Sequence, residues 1–267
     1  MKLVRFLKDE LEVCGRVDGQ DVYLQNASEQ GLVDSGDKIQ WSDIKLFLPP
    51  VNPVNIYAVG KNYSEHCKET KLEEELENPV IFMKTTNTVT AHNEKVLLPI
   101  FNPDNVDYEA ELAVIIGKTG KNIPLDKALD YVLGYTCAQD ISARDAQFAN
   151  GGQWCRGKSF DTFCPLGPIV ETDLDPTNLC ITQRLNGEVM QEDTTASMLF
   201  SVAEIISYIS RGMTLLPGTV ILTGTPGGVG FTREPAVFLK DGDKIEVEIE
   251  NIGKLVNFVE GFAEVNV

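Results

Sequence analysis

Positive charge is scarce in this sequence. Its 267 residues hold 23 lysines and arginines against 40 aspartates and glutamates, which gives a formal net charge of −17 at pH 7. No run of lysine or arginine reaches three residues. Because such a chain repels the phosphates of nucleic acids and of anionic membranes, we expect neither as a partner.

Long apolar runs are also missing. Residues 112–116 form one of the longest unbroken stretches, far below the roughly 18 residues of a membrane-spanning helix. The opening stretch, MKLVRFLKDELEV, is interrupted by charges and lacks the apolar core of a signal peptide. The six cysteines include no CxxC pair, so neither a zinc site nor a disulfide framework is predicted. These absences together predict a cytoplasmic protein with reduced thiols.

What is present indicates a globular chain rich in strands. Apolar residues make up 43% of the sequence and charged residues 24%, which excludes wholesale disorder. Short strand-like segments fill the first 50 residues, separated by turn residues such as Asp18-Gly19. Prolines at 49, 50 and 53 are incompatible with a helix and mark a boundary. We therefore predict a small N-terminal β extension at residues 1–52 and a larger domain at residues 53–267.

The larger domain also consists mostly of predicted strands. KIEVEIE alternates apolar and acidic residues, which is typical of a strand with one wet face, and residues 251–253 predict a hairpin turn after it. Two helices are predicted, at residues 125–133 and at residues 197–210, the second with Leu199 on its apolar face. Strands and helices do not alternate regularly, which excludes a doubly wound sheet. The predicted fold class is mixed α/β, mostly β: a rolled or barrel-like mixed sheet with a few covering helices.

Three acidic residues are candidates for chemistry. Glu109 and Glu111 are two apart on a predicted strand, so their carboxylates share a face and repel unless a cation or proton separates them. This spacing predicts either a site for a hard cation or a solvated edge strand. Asp140 follows a strand-like YTCAQ and is either a functional residue at a strand end or a helix N-cap.

His66 and Glu69 are candidates for a general base. In a helical SEHCKE segment they are three residues apart and share a face. A carboxylate beside an imidazole fixes its tautomer and raises its basicity. The alternative is an ordinary surface histidine. The other histidine, His92, is predicted to lie in a loop.

Two further segments carry polar groups that need an explanation. Lys158 lies among aromatic and small residues in RGKSFDTFCPLGP, where a buried ammonium would need an anionic partner. TGTPGGVG, residues 223–230, follows a predicted strand but matches neither a Walker loop nor a GxGxxG motif before a helix. Its glycines predict backbone N–H groups close to a small anionic ligand.

Six segments, in order, resemble the fumarylacetoacetate hydrolase family. They are GKNYSEH, DYEAELAVIIG, GYTCAQDISARDAQ, GKSFDTFCPLGP, LNGEVMQ and PGTVILTGTPGGVG, and the resemblance covers about residues 55–262. It implies a mixed β-roll with the N-terminal extension of many bacterial members. It also implies a homodimer or higher even homo-oligomer, and a divalent cation that is normally Mg²⁺ and sometimes Mn²⁺ or Ca²⁺.

The resemblance also implies roles for individual residues. It places the metal on Glu109, Glu111 and Asp140. It makes His66 and Glu69 the catalytic dyad, with Lys158 as a further catalytic group. The residues that would hold or polarise the substrate are Arg144, Gln147, Lys158 and Thr225.

These expectations lead to a hypothesis of function. The chain would be a Mg²⁺-dependent enzyme acting on a small 2-oxo acid through a metal-bound enolate, with C–C bond hydrolysis of an acylpyruvate or fumarylpyruvate-like substrate as the first choice. Isomerisation of 2-hydroxyhepta-2,4-diene-1,7-dioate and decarboxylation of oxaloacetate use the same site and are alternatives. An alternative of another class is a non-catalytic member in which the metal only stabilises the fold.

Overall fold

Strands dominate the fold, as the sequence predicts. The computed structural model describes residues 1–28, 31–71, 76–101 and 103–261. The strands in these ranges are β1 (Lys2–Lys8), β2 (Leu11–Asp18), β3 (Asp21–Ser28), β4 (Gly31–Gln40), β5 (Leu46–Phe47), β6 (Ile56–Gly60), β7 (Val80–Lys84), β8 (Val89–Thr90), β9 (Lys95–Leu97), β10 (Val106–Asp107), β11 (Ala110–Ile116), β12 (Val132–Gln139), β13 (Ser142–Ala143), β14 (Cys164–Pro165), β15 (Ile169–Glu171), β16 (Cys180–Leu185), β17 (Glu188–Thr194), β18 (Val220–Leu222), β19 (Lys244–Ile249) and β20 (Gly253–Glu260).

Helices are short and few in the same ranges. The α-helices are α1 (Ser64–Glu69), α2 (Arg144–Phe148), α3 (Trp154–Lys158) and α4 (Val202–Gly212). The 3-10 helices are Trp41–Asp43, Thr86–Thr88, Pro103–Asn105, Leu125–Tyr131, Ala149–Gly151, Thr195–Ser197 and Gly230–Thr232. Within the described residues, none of these helices has the length and apolar character needed to cross a membrane.

Two large sheets carry the architecture. The larger has eleven strands in the order β4-β3-β2-β1-β15-β12-β11-β18-β6-β7, with β5 paired to β1. The second has the order β17-β16-β19-β20-β9. Most pairs are antiparallel, but β6 runs parallel to β18, so the sheet is mixed. The predicted class is confirmed, and the large sheet stays open with β4 and β7 at its edges instead of closing into a barrel.

The N-terminal strands belong to the large sheet. Strand β1 pairs antiparallel with β15, with Lys2 opposite Glu171. Strands β2, β3 and β4 then add in chain order as an antiparallel meander. Backbone hydrogen bonds therefore connect the first 40 residues to the rest of the fold, and the division at residue 52 stays a prediction.

The predicted helix at residues 125–133 is wrong in type and in its end. A 3-10 helix occupies Leu125–Tyr131, and β12 begins immediately at Val132. Gly134, expected to end a helix, lies inside β12. A Cβ there would lie 2.7 Å from the carbonyl oxygen of Glu171. The glycine therefore lets β15 approach β12, which the helical pattern could not show.

The second predicted helix begins later than expected. Ser201 caps α4: its hydroxyl accepts the N–H of Glu204, whose side chain returns to the N–H of Ser201. This capping box fixes the start at Val202. Leu199 lies before the helix and is 44% exposed, so its predicted place on the buried face is wrong.

The hairpin prediction is confirmed. In β19 the side chains of Ile245, Val247 and Ile249 are buried and that of Glu248 is exposed, but Glu246, expected on the same wet face, is also buried. Ile249 pairs with Gly253 at the start of β20, so the chain turns between them as expected.

Strand β11 lies at the centre of the large sheet and is buried on both faces. Leu112, Val114 and Ile116 pack in the same cluster as the apolar residues of α4. Ala113 and Ile115 face a second cluster on the other side of the sheet. Because side chains alternate along a strand, Glu109 and Glu111 continue the row of Ala113 and Ile115 at the N-terminal end of β11. The carboxylates therefore emerge from a buried part of the fold.

His92 lies in a turn, as predicted, and is also partly buried between the two sheets. Its Nδ1 accepts the N–H of Val256 at 3.1 Å. Its ring packs edge-on against Phe47, with 4.9 Å between the ring centroids. Burial lowers the pKa of His92 from 6.5 to about 4. The folded protein therefore holds this ring neutral at pH values where an unfolded chain would protonate it.

This shift predicts acid sensitivity. The contribution of His92 to stability is complete above pH 6.5 and is lost as the pH falls towards 4, because only the unfolded chain takes up the proton in that window. Between pH 7 and pH 5 the loss should reach at most about 2 kcal/mol. Urea unfolding at intervals across this range measures it. His92→Gln should show a shallower dependence on pH, and an equal slope in both proteins would contradict the assignment.

Candidate active site

Three buried carboxylates meet where β11 begins and β12 ends. The two strands are antiparallel, and Ala110 pairs with Gln139, which brings Asp140 next to Glu109. The backbone N–H of Asp140 donates to the carbonyl oxygen of Glu109 at 2.9 Å. One oxygen from each of Glu109, Glu111 and Asp140 lies within 4.8 Å of the others. The solvated edge strand and the helix N-cap, kept open as alternatives, are therefore wrong: helix α2 starts after Ala143.

Lys158 provides positive charge between two of these carboxylates. Its Nζ lies 2.7 Å from Oε2 of Glu109, 2.6 Å from Oδ2 of Asp140 and 2.9 Å from Oγ of Ser142. Burial alone would lower the pKa of Lys158, but Asp140 and Glu109 outweigh it and raise the pKa above its usual value. The ammonium thus stays charged in the interior, held by the anionic partners that its sequence context calls for.

Lys84 is a second buried ammonium, and its role could not be predicted from the sequence. It ends β7, its side chain is fully buried, and its Nζ lies 2.6 Å from Oδ1 of Asp140. Each oxygen of Asp140 therefore faces a different lysine. In the sequence, Lys84 is only the last residue of an apolar strand, and its partner is 56 residues away.

Glu111 differs from its two neighbours. Its Oε2 accepts the N–H of Gly224 at 2.6 Å, and no ion pair reaches it from any residue that the structure describes. Burial, with the negative charges of Asp140 and Glu109, holds its pKa well above the usual range. In contrast, Lys158 and Arg144 outweigh burial at Glu109 and hold its pKa below the usual range. One carboxylate thus lacks a countercharge, and the all-oxygen donor set fits a hard divalent cation.

His66 and Glu69 form a dyad on α1. His66 Nδ1 lies 2.6 Å from Oε1 of Glu69, and the histidine is 7% exposed, so it is not an ordinary surface residue. Oε2 of Glu69 accepts the N–H of Gly228 at 2.8 Å and lies 2.9 Å from Oγ1 of Thr232. Burial would raise the pKa of Glu69, but His66 and the Gly228 N–H outweigh it and lower the pKa. An ionised Glu69 accepts a hydrogen bond from Nδ1, so a neutral imidazole carries its hydrogen on Nδ1 and its lone pair on Nε2.

Arg144 is held by several partners at once. Its Nε and Nη2 donate to Oδ2 of Asp107 at 2.9 and 2.7 Å. Nη2 also lies 2.8 Å from Oε1 of Glu109, and Nη1 donates to Oε1 of Gln147 at 2.9 Å. The guanidinium packs over the ring of Phe231, with 4.4 Å to its centroid. Asp107 is the partner that sequence reasoning passed over, although it begins the motif that contains Glu109.

Thr225 lines the site with its hydroxyl already engaged. Its Oγ1 donates to the carbonyl oxygen of Ala110 at 2.9 Å and accepts from Nε2 of Gln191 at 2.7 Å. Gln191 also donates to the carbonyl oxygen of Pro226 at 2.8 Å. The hydroxyl therefore ties the 223–230 loop to β11, and its position is set by two neighbours.

The glycine-rich loop at 223–230 binds the protein's own carboxylates. The N–H of Gly224 donates to Glu111, that of Gly228 to Glu69, and that of Gly230 to Asp107 at 2.8 Å. The sequence predicted N–H groups near a small anionic ligand. In the folded chain these three N–H groups instead hold a candidate metal ligand, the carboxylate of the dyad and the carboxylate that binds Arg144, so one loop positions all three.

A small cavity of about 130 Å³ connects these groups. Its wall is completed by apolar and aromatic residues, among them Phe82, Trp154 and Phe231. Of the predicted site residues, those that line it are His66, Glu109, Glu111, Asp140, Arg144, Gln147, Lys158 and Thr225. Glu69 lies behind His66. The fold therefore brings together in one site residues that are dispersed over 160 positions of the chain.

Gly60 fixes the aromatic wall of this cavity. A Cβ at Gly60 would lie 2.2 Å from the ring of Trp154, which itself packs edge-on against Phe82 at 5.3 Å. Gly60→Ala must displace this ring, and we expect a stability loss of about 1–3 kcal/mol and a raised KM. Chemical unfolding and steady-state kinetics measure the two effects. Gly212→Ala is the matched control because no atom outside its own helix lies within 4 Å of its added methyl group. Equal stability losses and equal KM values in the two variants would contradict the steric argument.

Relatives of known sequence and structure support the family resemblance. The family model described as fumarylacetoacetate (FAA) hydrolase C-terminal matches residues 55–260. The chain is 44% identical to oxaloacetate tautomerase Fahd2a, mitochondrial, of Rattus norvegicus over 221 residues, covering 82% of this chain and 70% of the relative.

Solved structures agree over nearly the whole chain. A 2-hydroxyhepta-2,4-diene-1,7-dioate isomerase from Mycobacterium marinum superposes with a TM-score of 0.87 and 34% identity, covering 99% of this chain and 100% of the other. A fumarylacetoacetate hydrolase from Exiguobacterium antarcticum gives a TM-score of 0.87 and 36% identity, covering 98% and 100%. On these matches and on the site's geometry, the chain belongs to the fumarylacetoacetate hydrolase family.

Proposed function

We propose that this protein transfers a proton at the carbon next to the carbonyl of a small 2-oxo acid, interconverting the keto and enol forms of an oxaloacetate-like dicarboxylate. The observation that carries the proposal is the placement of His66: a histidine oriented by Glu69 opens onto the same small cavity as three buried carboxylates. The names of two of the three relatives support this chemistry, since a tautomerase and an isomerase move protons without breaking a carbon–carbon bond.

The carboxylates would supply the electrophilic half of the site. Glu109, Glu111 and Asp140 would hold Mg²⁺, or Mn²⁺ or Ca²⁺, and the cation when bound would act as a Lewis acid on an oxygen of the substrate. Lys158 and Arg144 would add fixed positive charge near the developing negative charge. Since carboxylates already orient the side chains of Lys158 and Arg144, little reorganisation of these two groups would accompany the reaction.

The proton transfer itself falls to His66. Nε2 takes a proton from the carbon next to the carbonyl, the C–H electron pair forms the carbon–carbon double bond, and the carbonyl pair moves onto oxygen. The imidazolium formed is stabilised by the ionised Glu69 on Nδ1. Return of the proton to oxygen gives the enol, and the reverse sequence gives the keto form. No other reactant is consumed.

The size of the cavity favours a small substrate. About 130 Å³ is well below the 300–1,000 Å³ of pockets for drug-sized ligands. A four-carbon acid suits this volume better than a long acylpyruvate. Hydrolysis of an acylpyruvate, isomerisation of a diene dioate and decarboxylation of oxaloacetate would use the same groups and stay predictions. A homodimer or higher even oligomer and a cytoplasmic location also stay predictions.

One set of assays on the purified protein with Mg²⁺ tests the proposal. Enol absorbance of oxaloacetate, pyruvate formation and CO₂ release are followed together, with an acylpyruvate as a second substrate. We expect faster keto–enol interconversion without pyruvate or CO₂. Pyruvate from the acylpyruvate with no effect on the enol would favour hydrolysis, and turnover of no substrate would favour the non-catalytic alternative.

A further inference from the structure

Lys61 belongs to the wall of the cavity, as His66 does. No carboxylate of the described residues forms an ion pair with it. The other two lysine or arginine side chains of the wall, Arg144 and Lys158, are each within 2.8 Å of carboxylate oxygens. Within the described part of the chain Lys61 therefore differs from them: no carboxylate there competes with an entering anion for its charge.

The backbone at Lys61 is unusual for a residue with a side chain. Its φ is +57°, in the left-handed region, which disfavours a side chain by about 1 kcal/mol or more relative to glycine. The residue lies between the end of β6 and the start of α1, and its carbonyl oxygen accepts the Sγ–H of Cys67 at 3.3 Å. Glycine adopts this backbone conformation without strain, which makes Lys61→Gly a variant that removes the side chain and keeps the backbone.

The charges of the site indicate that use. A dicarboxylic 2-oxo acid brings two carboxylates, whereas Lys158 is shared between Glu109 and Asp140, and Arg144 is held by Asp107 and Glu109. We propose that Lys61 binds the carboxylate of the substrate farthest from the 2-oxo group, and so selects dicarboxylates over monocarboxylates of equal length. This inference rests on the proposed function and names the residue that sets its preference for dicarboxylates.

The kinetic test compares oxaloacetate with 2-oxobutyrate, which has the same four carbons and one carboxylate fewer. Exchange of the C3 hydrogens with deuterium, followed by NMR, reports proton transfer for both. Lys61→Met should lower kcat/KM for oxaloacetate about 10- to 100-fold, mainly through KM, and change that for 2-oxobutyrate less than twofold. Lys61→Gly, which suits the positive φ, should show the same loss of selectivity without loss of folding stability.

Lys68→Met is the matched control. It removes one positive charge from α1, where Lys68 pairs with Glu65 outside the cavity, at 70% side-chain exposure. It should leave the preference for oxaloacetate over 2-oxobutyrate unchanged. If Lys61→Met keeps the wild-type ratio of kcat/KM for the two substrates, the proposal is overturned, whether both values stay the same or both fall equally.

A binding measurement separates this proposal from the proposed function. Calorimetry with malate and 2-hydroxybutyrate, neither of which has a 2-oxo group, should show at least tenfold tighter binding of malate to the wild-type protein. Lys61→Met should bind the two about equally. If this binding pattern is found but no 2-oxo acid is turned over, Lys61 is supported as the carboxylate site and the proposed tautomerase activity is rejected. If 2-oxo acids are turned over but the wild type binds malate and 2-hydroxybutyrate equally, the role of Lys61 is rejected and the proposed function stands.

Discussion

His66→Asn should lower kcat by about 10²–10⁴-fold while leaving the fold intact, the range expected when a general base is removed. His66 is the group whose Nε2 is free to take a proton, because Nδ1 is engaged by Glu69 at 2.6 Å. Asparagine is smaller and polar and can still donate to Glu69. The loss should therefore appear in turnover and not in the unfolding midpoint.

Two further variants make this result specific. Glu69→Gln keeps the histidine but removes the charge that stabilises the imidazolium, so its loss should be smaller than that of His66→Asn. His92→Gln removes the other histidine, which lies outside the cavity against Phe47, and should keep full turnover at pH 7.5. Stabilisation by Mg²⁺ should persist in His66→Asn. Near-normal turnover in that variant would remove the dyad from the mechanism.

Glu111→Gln should abolish both the response to Mg²⁺ and turnover. Glu111 is the carboxylate without an ion-pair partner in the described part of the chain, so its replacement leaves no buried cation unpaired, whereas Asp140→Asn would affect Lys84 and Lys158. The amide oxygen can still accept the N–H of Gly224. The metal-free variant should therefore fold at least as stably as the wild type, because glutamine is neutral at a position where burial, Asp140 and Glu109 all disfavour a charged carboxylate.

Unfolding with and without Mg²⁺ measures this effect. At Mg²⁺ concentrations 100-fold above the Kd, the wild type should gain about 2.7 kcal/mol, and Glu111→Gln should gain nothing. Glu188→Gln removes the same charge at an exposed position of β17 and should behave like the wild type. Equal stabilisation of Glu111→Gln and the wild type would exclude Glu111 as a metal ligand.

Local spacing predicted the parts of the site that lie on single elements. Glu109 and Glu111 share a face because a strand has a period of two, and His66 meets Glu69 because a helix brings residues three apart together. The approach of Glu109 and Glu111 to Asp140 depends on the pairing of β11 with β12, which the spacing of residues along the chain does not specify. The family resemblance supplied that link by the order of its motifs.

Long-range partners were the part that the sequence could not show. Lys84 and Asp107 each engage a predicted site residue, yet neither stands out in its local pattern. The glycine-rich loop was expected to face a ligand because glycines signal available N–H groups, and its actual acceptors lie 113 to 159 positions away. The prediction of a helix ending at Gly134 was wrong because this glycine lies in β12 and allows the close approach of β15, which is a requirement of tertiary packing.

Anomalous diffraction from crystals grown with Mn²⁺ and soaked with oxalate, a mimic of the pyruvate enolate, tests the central claim most directly. We expect one manganese peak in contact with an oxygen from each of Glu109, Glu111 and Asp140, with oxalate on the ion and His66 Nε2 facing it across the cavity. Manganese bound elsewhere, or no manganese peak between these three carboxylates at saturating Mn²⁺, would contradict the proposed site.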